Sequence, residues 1–422
     1  MYWIVENEDQ LMELRNSGYT EAYLDIVGLD NKKHPAVDSV SLIYLRPLRA
    51  TKGFVIPINH TEGLRVDEEK VIEILYKYKI LYCKDSKRIM HYWPNLNLFD
   101  CVYGNRTIKD NETVTHKLFN RWYPNLGDIN RLIPIVKHYK SLQKDYEEIK
   151  GYINKDISEY GIFYNNRTSV VYHNIERNGI GIDRELFFKH FHTTDKTITH
   201  GQYNLNTSTT RPSNKFGGVN YAALNKKTGE RSSFIPQNDY FAEFDVVAYH
   251  PVIVSHLIGY EFKNKDIHQD FADMYGVERD KAKEITFQQF YGKIFGKYKD
   301  LSYFRLLLAK QDELIEKYNK EGFVEVPISK YRFEKENLGD INKEKLFNYF
   351  LQATESAYNV EILEQIQEIL KGSQTKIVLT VYDSFLLDVK KGEESLLTDI
   401  QNVFKNKKLN TSIKSGYDYN FK

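Results

Sequence analysis

The spacing of apolar residues in the first third of the chain predicts a mixed α/β domain. Apolar segments at 22–27 and 40–45 have the length and composition of two neighbouring strands. Apolar positions recur at helical spacing over 68–78 and again from 128 to about 153. We therefore expect residues 1–140 to form one small α/β domain.

The second half of the chain follows a different plan. A strand is predicted at 240–247, and it runs into a helical pattern at 251–257. Further amphipathic helices are predicted at 267–275, 279–290, 303–320 and 343–371. Two short apolar strands, 376–382 and 385–389, flank Asp383, which predicts a hairpin with a carboxylate at its tip.

Length and composition limit the classes of protein that fit. At about 150 residues per domain, 422 residues predict two or three domains. Lys and Arg number 59 against 58 Asp and Glu, so a formal charge of +1 gives no overall attraction to a polyanion or an anionic membrane. The sequence has no apolar run near the ~20 residues of a membrane span, no signal-peptide pattern in MYWIVENEDQ, and too few cysteines for a disulfide framework. We expect a cytoplasmic protein without membrane attachment.

Residues 200–233 have a local excess of positive charge. The segment is rich in Asn, Thr, Ser and Gly, which is typical of an extended loop. Its ionised residues are Arg211, Lys215, Lys226, Lys227, Glu230 and Arg231. A solvated surface loop explains this composition, and so does a local contact with a polyanion.

The segment ERDKAKEITFQQFYG places two cations and two rings on one helix face. Arg279, Lys283, Phe287 and Tyr291 follow at intervals of four, and each interval turns only ~40° around a helix. Two cations followed by two rings suit a polyphosphate joined to a sugar and a base. A core stripe of aromatic residues beside surface Lys and Arg is the alternative interpretation.

This helix resembles the fingers-helix motif RxxxKxxxFxxxYG of family A DNA polymerases, the group typified by bacterial DNA polymerase I. Other segments resemble motifs of that family in the same order. They are ERNGIGID at 176–183, TSTTRPSN at 207–214, FAEFDVVAYHPVIVSHL at 241–257, DIHQDFADMYG at 266–276, EGFVEV at 321–326, NYFLQATESA at 348–357 and VLTVYDSFLLDV at 378–389. The resemblance covers residues 171–422 with few interruptions.

The resemblance implies an α+β right-hand polymerase domain over 201–422, with an antiparallel palm sheet and helical fingers. It implies addition of deoxynucleotides to a primer 3′ end by two-metal phosphoryl transfer. Asp245, Asp383 and the backbone carbonyl of Val246 are then expected to hold two Mg²⁺ ions, for which Mn²⁺ can substitute. Lys283 is the expected acid for the departing pyrophosphate. Each aspartate alone would be an ordinary cap or turn residue, so the expectation depends on their occurring together around this helix.

The same resemblance assigns contacts to the two substrates, dNTPs and primer-template DNA. The expected nucleotide-binding residues are Arg279, Lys283, Phe287, Tyr291 and His250. The expected DNA-binding residues are Arg211, Arg231, Asn348, Gln352 and Tyr382.

Two departures from the family bear on the choice of nucleotide. His250 stands where the family usually has Glu, and its imidazole is still bulky enough to press against a ribose 2′ oxygen. Ser384 replaces a third carboxylate, as in the related single-subunit RNA polymerases, whereas Phe287 is typical of the DNA polymerases. We expect deoxynucleotide preference, with an RNA polymerase or primase of that superfamily as the alternative.

The amino-terminal region resembles the 3′-5′ exonuclease domain of the same family, an RNase H-like α/β domain, in degenerate form. YLDIVGLD keeps Asp25 but has Val27 where the family has Glu. PNLNLFD keeps Asp100, and Asp128 is the candidate for the third position. Because a site without the Glu should hold metal ions poorly, we expect a structural domain that lacks proofreading activity.

The thumb that grips duplex DNA in this family is expected to be reduced or absent. Between ERNGIGID and TSTTRPSN the chain has about two dozen residues, too few for two long helices. We expect a helical connector with a thumb remnant over 141–200, and a protein partner that supplies processivity or replaces the thumb. A compact polymerase of a phage or mobile element, working in the bacterial host cytoplasm, fits these features. A catalytically silent homologue that serves as a DNA-binding or assembly subunit is the remaining alternative.

Overall fold

The fold is that of a computed structural model. It describes residues 2–30, 33–63, 65–101, 132–153, 156–192, 197–214, 219–264, 266–291 and 294–421. The chain divides into two compact units. Unit 1 consists of Met1–Ile180, Ile198–Asn206 and Ser213–Tyr221, and unit 2 consists of Gly181–Thr197, Thr207–Pro212 and Ala222–Lys422.

The described residues form strands, helices and short turns of 3₁₀ or π type. The strands are β1 (Tyr2–Ile4), β2 (Glu21–Gly28), β3 (Val40–Pro47), β4 (Gly53–Pro57), β5 (Ile80–Cys83), β6 (Leu98–Asp100), β7 (Ile180–Ile182), β8 (Ile198–Thr199), β9 (Phe234–Ile235), β10 (Tyr240–Val246), β11 (Phe323–Glu325), β12 (Arg332–Glu334), β13 (Lys376–Val381), β14 (Ser384–Val389) and β15 (Thr411–Gly416). The helices are α1 (Glu8–Asn16), α2 (Glu68–Leu75), α3 (Ser86–Tyr92), α4 (Ile135–Ile153), α5 (Glu159–Phe163), α6 (Ser169–Asn178), α7 (Arg184–Phe191), α8 (Tyr249–Ile258), α9 (Ile267–Tyr275), α10 (Arg279–Tyr291), α11 (Ser302–Glu321), α12 (Lys335–Leu338), α13 (Lys343–Ile369) and α14 (Ser395–Asn406). The short turns are Pro35–Val37, Tyr164–Thr168, Tyr221–Ala223, Glu230–Ser233 and Gly296–Tyr298.

Unit 1 is built on a mixed sheet with the order β1-β4-β3-β2-β5-β6. Strand β3 runs antiparallel to both of its neighbours, β2 and β4, while β2, β5 and β6 are mutually parallel. The two apolar segments that predicted neighbouring strands are therefore paired, as expected. Leu24 and Ile26 on β2 and Ile43 and Leu45 on β3 are fully buried and belong to the core of this unit. Burial of such side chains is the main source of the sheet's stability.

Unit 2 is built on an antiparallel sheet with the order β13-β14-β10-β15. The predicted hairpin is confirmed, because β13 and β14 pair antiparallel on either side of the turn at Tyr382 and Asp383. On the buried face, the rings of Phe244 and Phe385 pack against Phe404 of α14, with centroids 5.8 and 5.2 Å from the Phe404 ring. The pairing of β10 with β14 therefore places the two motif aspartates, Asp245 and Asp383, at the same end of the sheet.

Local capping interactions explain where helix α9 of unit 2 begins and ends. Asp266 caps α9 by accepting a hydrogen bond from the backbone N–H of His268, and Gly276 ends it in the left-handed conformation at φ 64°. Phe271 of α9 packs edge-on against Tyr303 of α11. These contacts fix α9, which directly precedes α10, the helix with the four predicted functional side chains.

The predicted elements differ from the observed ones mainly at their ends. The helix expected from 128 begins at Ile135 in the structure, directly after Pro134, which disfavours helical backbone in the residue before it. The helix expected at 251 begins at Tyr249, after Ala248 turns the chain with φ 51°. In the part of the chain that the structure describes, no helix has the length and apolar character needed to cross a membrane.

Candidate active site

The two motif aspartates of unit 2 lie side by side. Asp245 on β10 is paired in register with Ser384, the residue after Asp383. The backbone N–H of Val246 donates a hydrogen bond of 2.9 Å to the carbonyl of Asp383, which ties the hairpin turn to the end of β10. Tyr382 has φ 56°, so the turn holds a non-glycine residue in the left-handed region. Two residues distant in sequence thus form one carboxylate pair on a rigid sheet.

The electrostatics of this pair favour a bound cation. Burial and, after it, the negative charge of Asp245 together raise the pKa of Asp383 to about 6. Two neighbouring carboxylates disfavour each other's ionised form until a cation neutralises them. Hard oxygen donors of this type suit Mg²⁺, so the donor set fits the predicted metal ions.

The carboxylate pair faces helix α10 across a cleft of about 410 Å³ within unit 2. Arg279, Lys283 and Phe287 all line this cleft, as the helix-face prediction requires. Phe287 is 65% exposed, so most of its side chain is accessible to solvent. The other described residues that line it are Arg211, Val246, Val247, Ala248, Tyr249, His250, Pro251, His268, Thr286, Phe290, Glu355 and Ser412. One cavity therefore joins cations, an aromatic ring and two carboxylates.

Burial and the cations that line the cleft lower the pKa of His268, a residue that the sequence analysis did not predict. His268 on α9 lines the cleft, and its pKa is lowered by burial and then by the charges of Lys283 and Arg279. Arg279 is held by Asp266, which accepts a 2.6 Å hydrogen bond from its Nε. His268 lies within the segment DIHQDFADMYG, and the resemblance of that segment to a polymerase motif could have identified it from the sequence.

A buried glutamate organises the opposite wall. Glu355 on α13 accepts hydrogen bonds from His250 Nε2 at 2.9 Å and from Arg211 at 3.0 Å. Burial raises the pKa of Glu355, but the hydrogen bond and charge of His250 and the charge of Arg211 outweigh it, so the pKa lies below its usual value. Glu355 therefore positions the residue predicted to select the sugar and the one predicted to contact the primer.

The loop before Arg211 is fastened to the same helix. Thr209 donates a hydrogen bond of 3.1 Å to the side chain of Gln352, one turn before Glu355 on α13. The guanidinium of Arg211 lies 3.9 Å from the ring centroid of Tyr382, which is close enough for a cation–π interaction. Three predicted DNA-binding residues, Arg211, Gln352 and Tyr382, thus lie in one connected group in unit 2.

Ser384, the residue after Asp383, is hydrogen-bonded to a buried carboxylate. Ser384 Oγ donates a 2.8 Å hydrogen bond to Glu243, which precedes Asp245 by two positions on β10 and points to the same side of the strand. Glu243 is buried, with 3% exposure. In FAEFDV, Glu243 and Asp245 are two positions apart, and this spacing alone predicts that both carboxylates lie on the same face of the strand.

Four of the predicted residues whose side chains the structure describes do not line the cleft: Arg231, Asn348, Gln352 and Tyr382. Arg231 lies over the ring of Tyr419, at 4.7 Å, and donates to the carbonyl of Leu224. Asn348 lies one turn before Gln352 on α13, outside the residues that line the cleft. Tyr291 ends α10, and its side chain is outside the described part.

The predicted remnant of an exonuclease site in unit 1 has a different environment. Asp25 accepts a hydrogen bond from the Tyr23 hydroxyl at 2.8 Å and pairs with Arg88 at 3.5 Å. Asp100, at the end of β6, accepts the backbone N–H of Ser86 at 3.1 Å. Asp128 lies outside the described residues. Both described carboxylates are therefore engaged with groups of the protein itself.

Comparisons with known proteins support the fold. No sequence-family model matches the chain. No curated protein matches it by sequence. Among solved structures, the chain is similar to the POL domain of Pol1 from M. smegmatis in complex with DNA primer-template and dNTP, with a TM-score of 0.68 and 13% identity over 99% of each chain. This likeness shows that the chain has the fold of a DNA polymerase domain, which confirms the expected fold class in this coarser form.

Proposed function

We propose that this chain is a template-directed DNA polymerase that adds deoxynucleotides to a primer 3′ end by two-metal phosphoryl transfer. The observation that carries the proposal is the single cleft of unit 2 in which Asp245 and Asp383 face Arg279 and Lys283. Phosphoryl transfer needs a cation site for the reacting oxygens and a second positive region for the triphosphate. The fold of a DNA polymerase domain supports the same proposal.

Asp245, Asp383 and the carbonyl of Val246 would hold the two Mg²⁺ ions, with Mn²⁺ as a substitute. When bound, these ions supply Lewis acidity and neutralise charge on the reacting phosphate. The chain's own residues then orient the substrates. Arg279 and Lys283 bind the triphosphate, and Lys283, with a proton available on its ammonium, serves as the acid for the departing pyrophosphate.

The aromatic and polar residues of the cleft select and position the incoming nucleotide. Phe287 and Tyr291 stack at the nascent base pair, and His250 limits space at the sugar 2′ position. Because Glu355 bonds to both His250 and Arg211, it links the sugar position to the primer terminus. Arg211, Gln352 and Tyr382, together with Arg231 and Asn348, contact the primer-template.

We further propose that the chain is a family A DNA polymerase of compact phage type. In unit 1, the parallel strands β4, β2, β5 and β6 with an antiparallel β3 support an RNase H-like exonuclease-related fold. The pairing of Asp25 with Arg88 supports the absence of proofreading. Mg²⁺-dependent loss of 3′ nucleotides from a DNA oligomer, removed by Asp25→Ala, would contradict that part.

The chain between the motifs at Asp183 and Thr207 includes α7, a helix of eight residues. This supports a reduced thumb and a protein partner that holds the duplex. Long products made by the isolated chain on primed single-stranded DNA, at low enzyme ratio, would contradict the need for that partner. The proposed site of action is the cytoplasm of a bacterial host.

Primer extension tests the proposal directly. The full chain is incubated with a labelled primer-template, Mg²⁺ and dNTPs, in parallel with Asp383→Ala and with Asp399→Ala, a control on α14 outside the cleft. We expect extension by the native chain and by the control, and none by Asp383→Ala. Extension by all three refutes the carboxylate assignment, and extension by none favours the silent DNA-binding subunit.

The choice of sugar separates the proposal from an RNA polymerase or primase. The same assay with rNTPs in place of dNTPs is run on the native chain. Faster incorporation of rNTPs would favour the alternative, for which the hydroxyl at Ser384 is the motivating feature.

A further inference from the structure

Unit 1 contains a cluster of histidines that the proposed polymerase chemistry does not use. The histidine cluster consists of His34, His91, His173 and His200, with Glu176 between them. The ring centroids of His34 lie 4.9 Å from His91 and 5.1 Å from His200, and those of His91 and His173 are 4.6 Å apart. The chain has 12 histidines in all, so a third of them meet at one place.

We propose that His34, His91 and Glu176 form a binding site for one divalent transition-metal ion, tested here as Zn²⁺. One ligand atom from each of these three residues lies within 4.8 Å of the other two. Tetrahedral Zn²⁺ with bonds of about 2.0–2.1 Å holds its ligand atoms about 3.4 Å apart. Side-chain shifts of about 1 Å, shared among three residues, therefore close the site.

Buried imidazole nitrogens without hydrogen-bond partners are the independent sign of a ligand. Among the residues that the structure describes, His34 Nε2, His91 Nδ1 and His173 Nε2 are buried and have no hydrogen-bond partner. Buried polar atoms nearly always have one, so each such atom requires an explanation. A metal ion bound by His34 and His91 explains the first two of these atoms together.

The donor set selects the class of metal. Two imidazoles and one carboxylate match the ligands of zinc sites and of non-haem iron, whereas Mg²⁺ and Ca²⁺ prefer oxygen. This separates the histidine cluster from the cleft of unit 2, where the donors are oxygens.

Some hydrogen bonds and ion pairs that the cluster residues make without a metal must change when the metal binds. Glu176 accepts a hydrogen bond of 2.9 Å from His91 Nε2 and is also paired with the Lys87 ammonium. The Ala36 N–H donates to His34 Nδ1 at 3.1 Å, and ligation by Nε2 gives up that bond because the ring proton moves to Nδ1. His200 Nδ1 lies 2.8 Å from the carbonyl of Glu176 and supports the backbone there.

Lys87 provides a test that a merely structural cluster would not pass. Its ammonium opposes a second cation beside Glu176, so Lys87→Gln should strengthen zinc binding by about 10-fold while lowering the stability of the metal-free chain. The stabilisation by zinc, measured as a shift in Tm, should therefore be larger in Lys87→Gln than in the parent chain.

Zinc binding is measured on the full chain after treatment with a chelator, by competition with a chromophoric zinc indicator. The parent for all variants is Asp383→Asn, so that uptake by the cleft of unit 2 does not contribute. We expect one Zn²⁺ per chain, and a loss of affinity of about 10-fold or more in His34→Asn and in Glu176→Gln. His192→Asn is the matched control, because His192 is exposed and its left-handed backbone suits Asn.

Co²⁺ gives a second readout, since tetrahedral coordination produces visible d–d absorption in the parent and not in His34→Asn. If Glu176→Gln fails to fold, His34→Asn decides the test, because His34 directly precedes the short turn Pro35–Val37 and is only partly buried. The absence of zinc binding by the parent, or equal binding by the parent and His34→Asn, overturns the proposal.

Discussion

Two pairs of aspartates lie on or directly beside strands of this protein, and the charges that neighbour them differ in sign. In unit 2 the strongest charge acting on Asp383 is the anion Asp245. In unit 1 the charge beside Asp25 is the cation Arg88, and Asp100 accepts a backbone N–H. The first pair needs a cation from outside the protein, whereas the second already has its partners. The residue type is therefore a poor guide to metal binding until the surrounding charges are known.

The largest expected effect comes from exchanging one carboxylate in each pair. Asp245→Asn should lower the rate of single-nucleotide addition by about 10³-fold or more, because metal-assisted stabilisation supplies several kcal/mol. Asp25→Asn should change that rate by less than about 2-fold. Rapid-quench primer extension with Mg²⁺ measures both. Equal losses in the two variants would remove the distinction between the pairs.

The second-largest effect is expected from removing a cation that lies across the cleft of unit 2 from the carboxylates. Lys283→Ala should lower kcat/KM for dNTP by about 10²-fold, since it removes both a phosphate contact and the candidate acid. Lys281→Ala, which removes an exposed lysine from the same helix, should have little effect. Steady-state extension at varied dNTP concentration distinguishes them, and a loss confined to Lys281→Ala would show that the wrong face of α10 has been assigned.

The sugar-selecting position should show a smaller effect. His250→Ala should lower discrimination against rNTPs by about 10-fold, because removing the ring opens space for a 2′ hydroxyl. His256→Ala, on the exposed side of the same helix, is the control. The ratio of kcat/KM for dNTP and rNTP is the measurement. Unchanged discrimination in His250→Ala would assign the selection to another residue.

The last effect is on stability rather than on activity, and it has opposite signs in the two pairs. The pKa of Asp383 is raised to about 6, from about 3.9 in an unfolded chain. Its contribution to stability is therefore fully present below pH 4 and is lost as the pH rises through about 6. At pH 7.5 with a chelator, Asp383→Asn should raise the stability by about 1–3 kcal/mol, and Asp25→Asn should lower it because Arg88 loses its partner.

Thermal unfolding at pH 5.0 and 7.5 measures this difference. The chelated native chain should be more stable at the lower pH by a margin that Asp383→Asn reduces. A lower Tm for Asp383→Asn at pH 7.5 would show that the two carboxylates are not in electrostatic conflict.

The sequence predicted several elements of unit 2 closely, for reasons that are local. The helix at 267–275 has a capping Asp266 and a Gly276 at its end, and both signals act within one turn. The hairpin around Asp383 was visible because apolar residues flank a polar pair. The start of α4 was not predicted well, since apolar spacing continued past Pro134 in the amino-terminal direction.

Spacing on a single element also predicted part of the site. Arg279, Lys283 and Phe287 share a face of one helix wherever that helix is placed, so their joint presence in the cleft followed from the period of the helix. Asp245 and Asp383 were connected only through a family resemblance, because no local rule brings together positions so far apart in sequence.

What the sequence by itself determined was the identity of the chemical groups and their arrangement on each helix or strand. What only the tertiary structure decided was which charges face each other. Glu355 is part of the site because α13 places it beside His250 and Arg211. Asp25 is ion-paired because α3 places Arg88 beside it. The three ligands of the proposed metal site likewise come from a loop and two helices. Coulomb interactions and hydrogen bonds depend on distance in space, and pairings between distant segments are fixed only when the core packs.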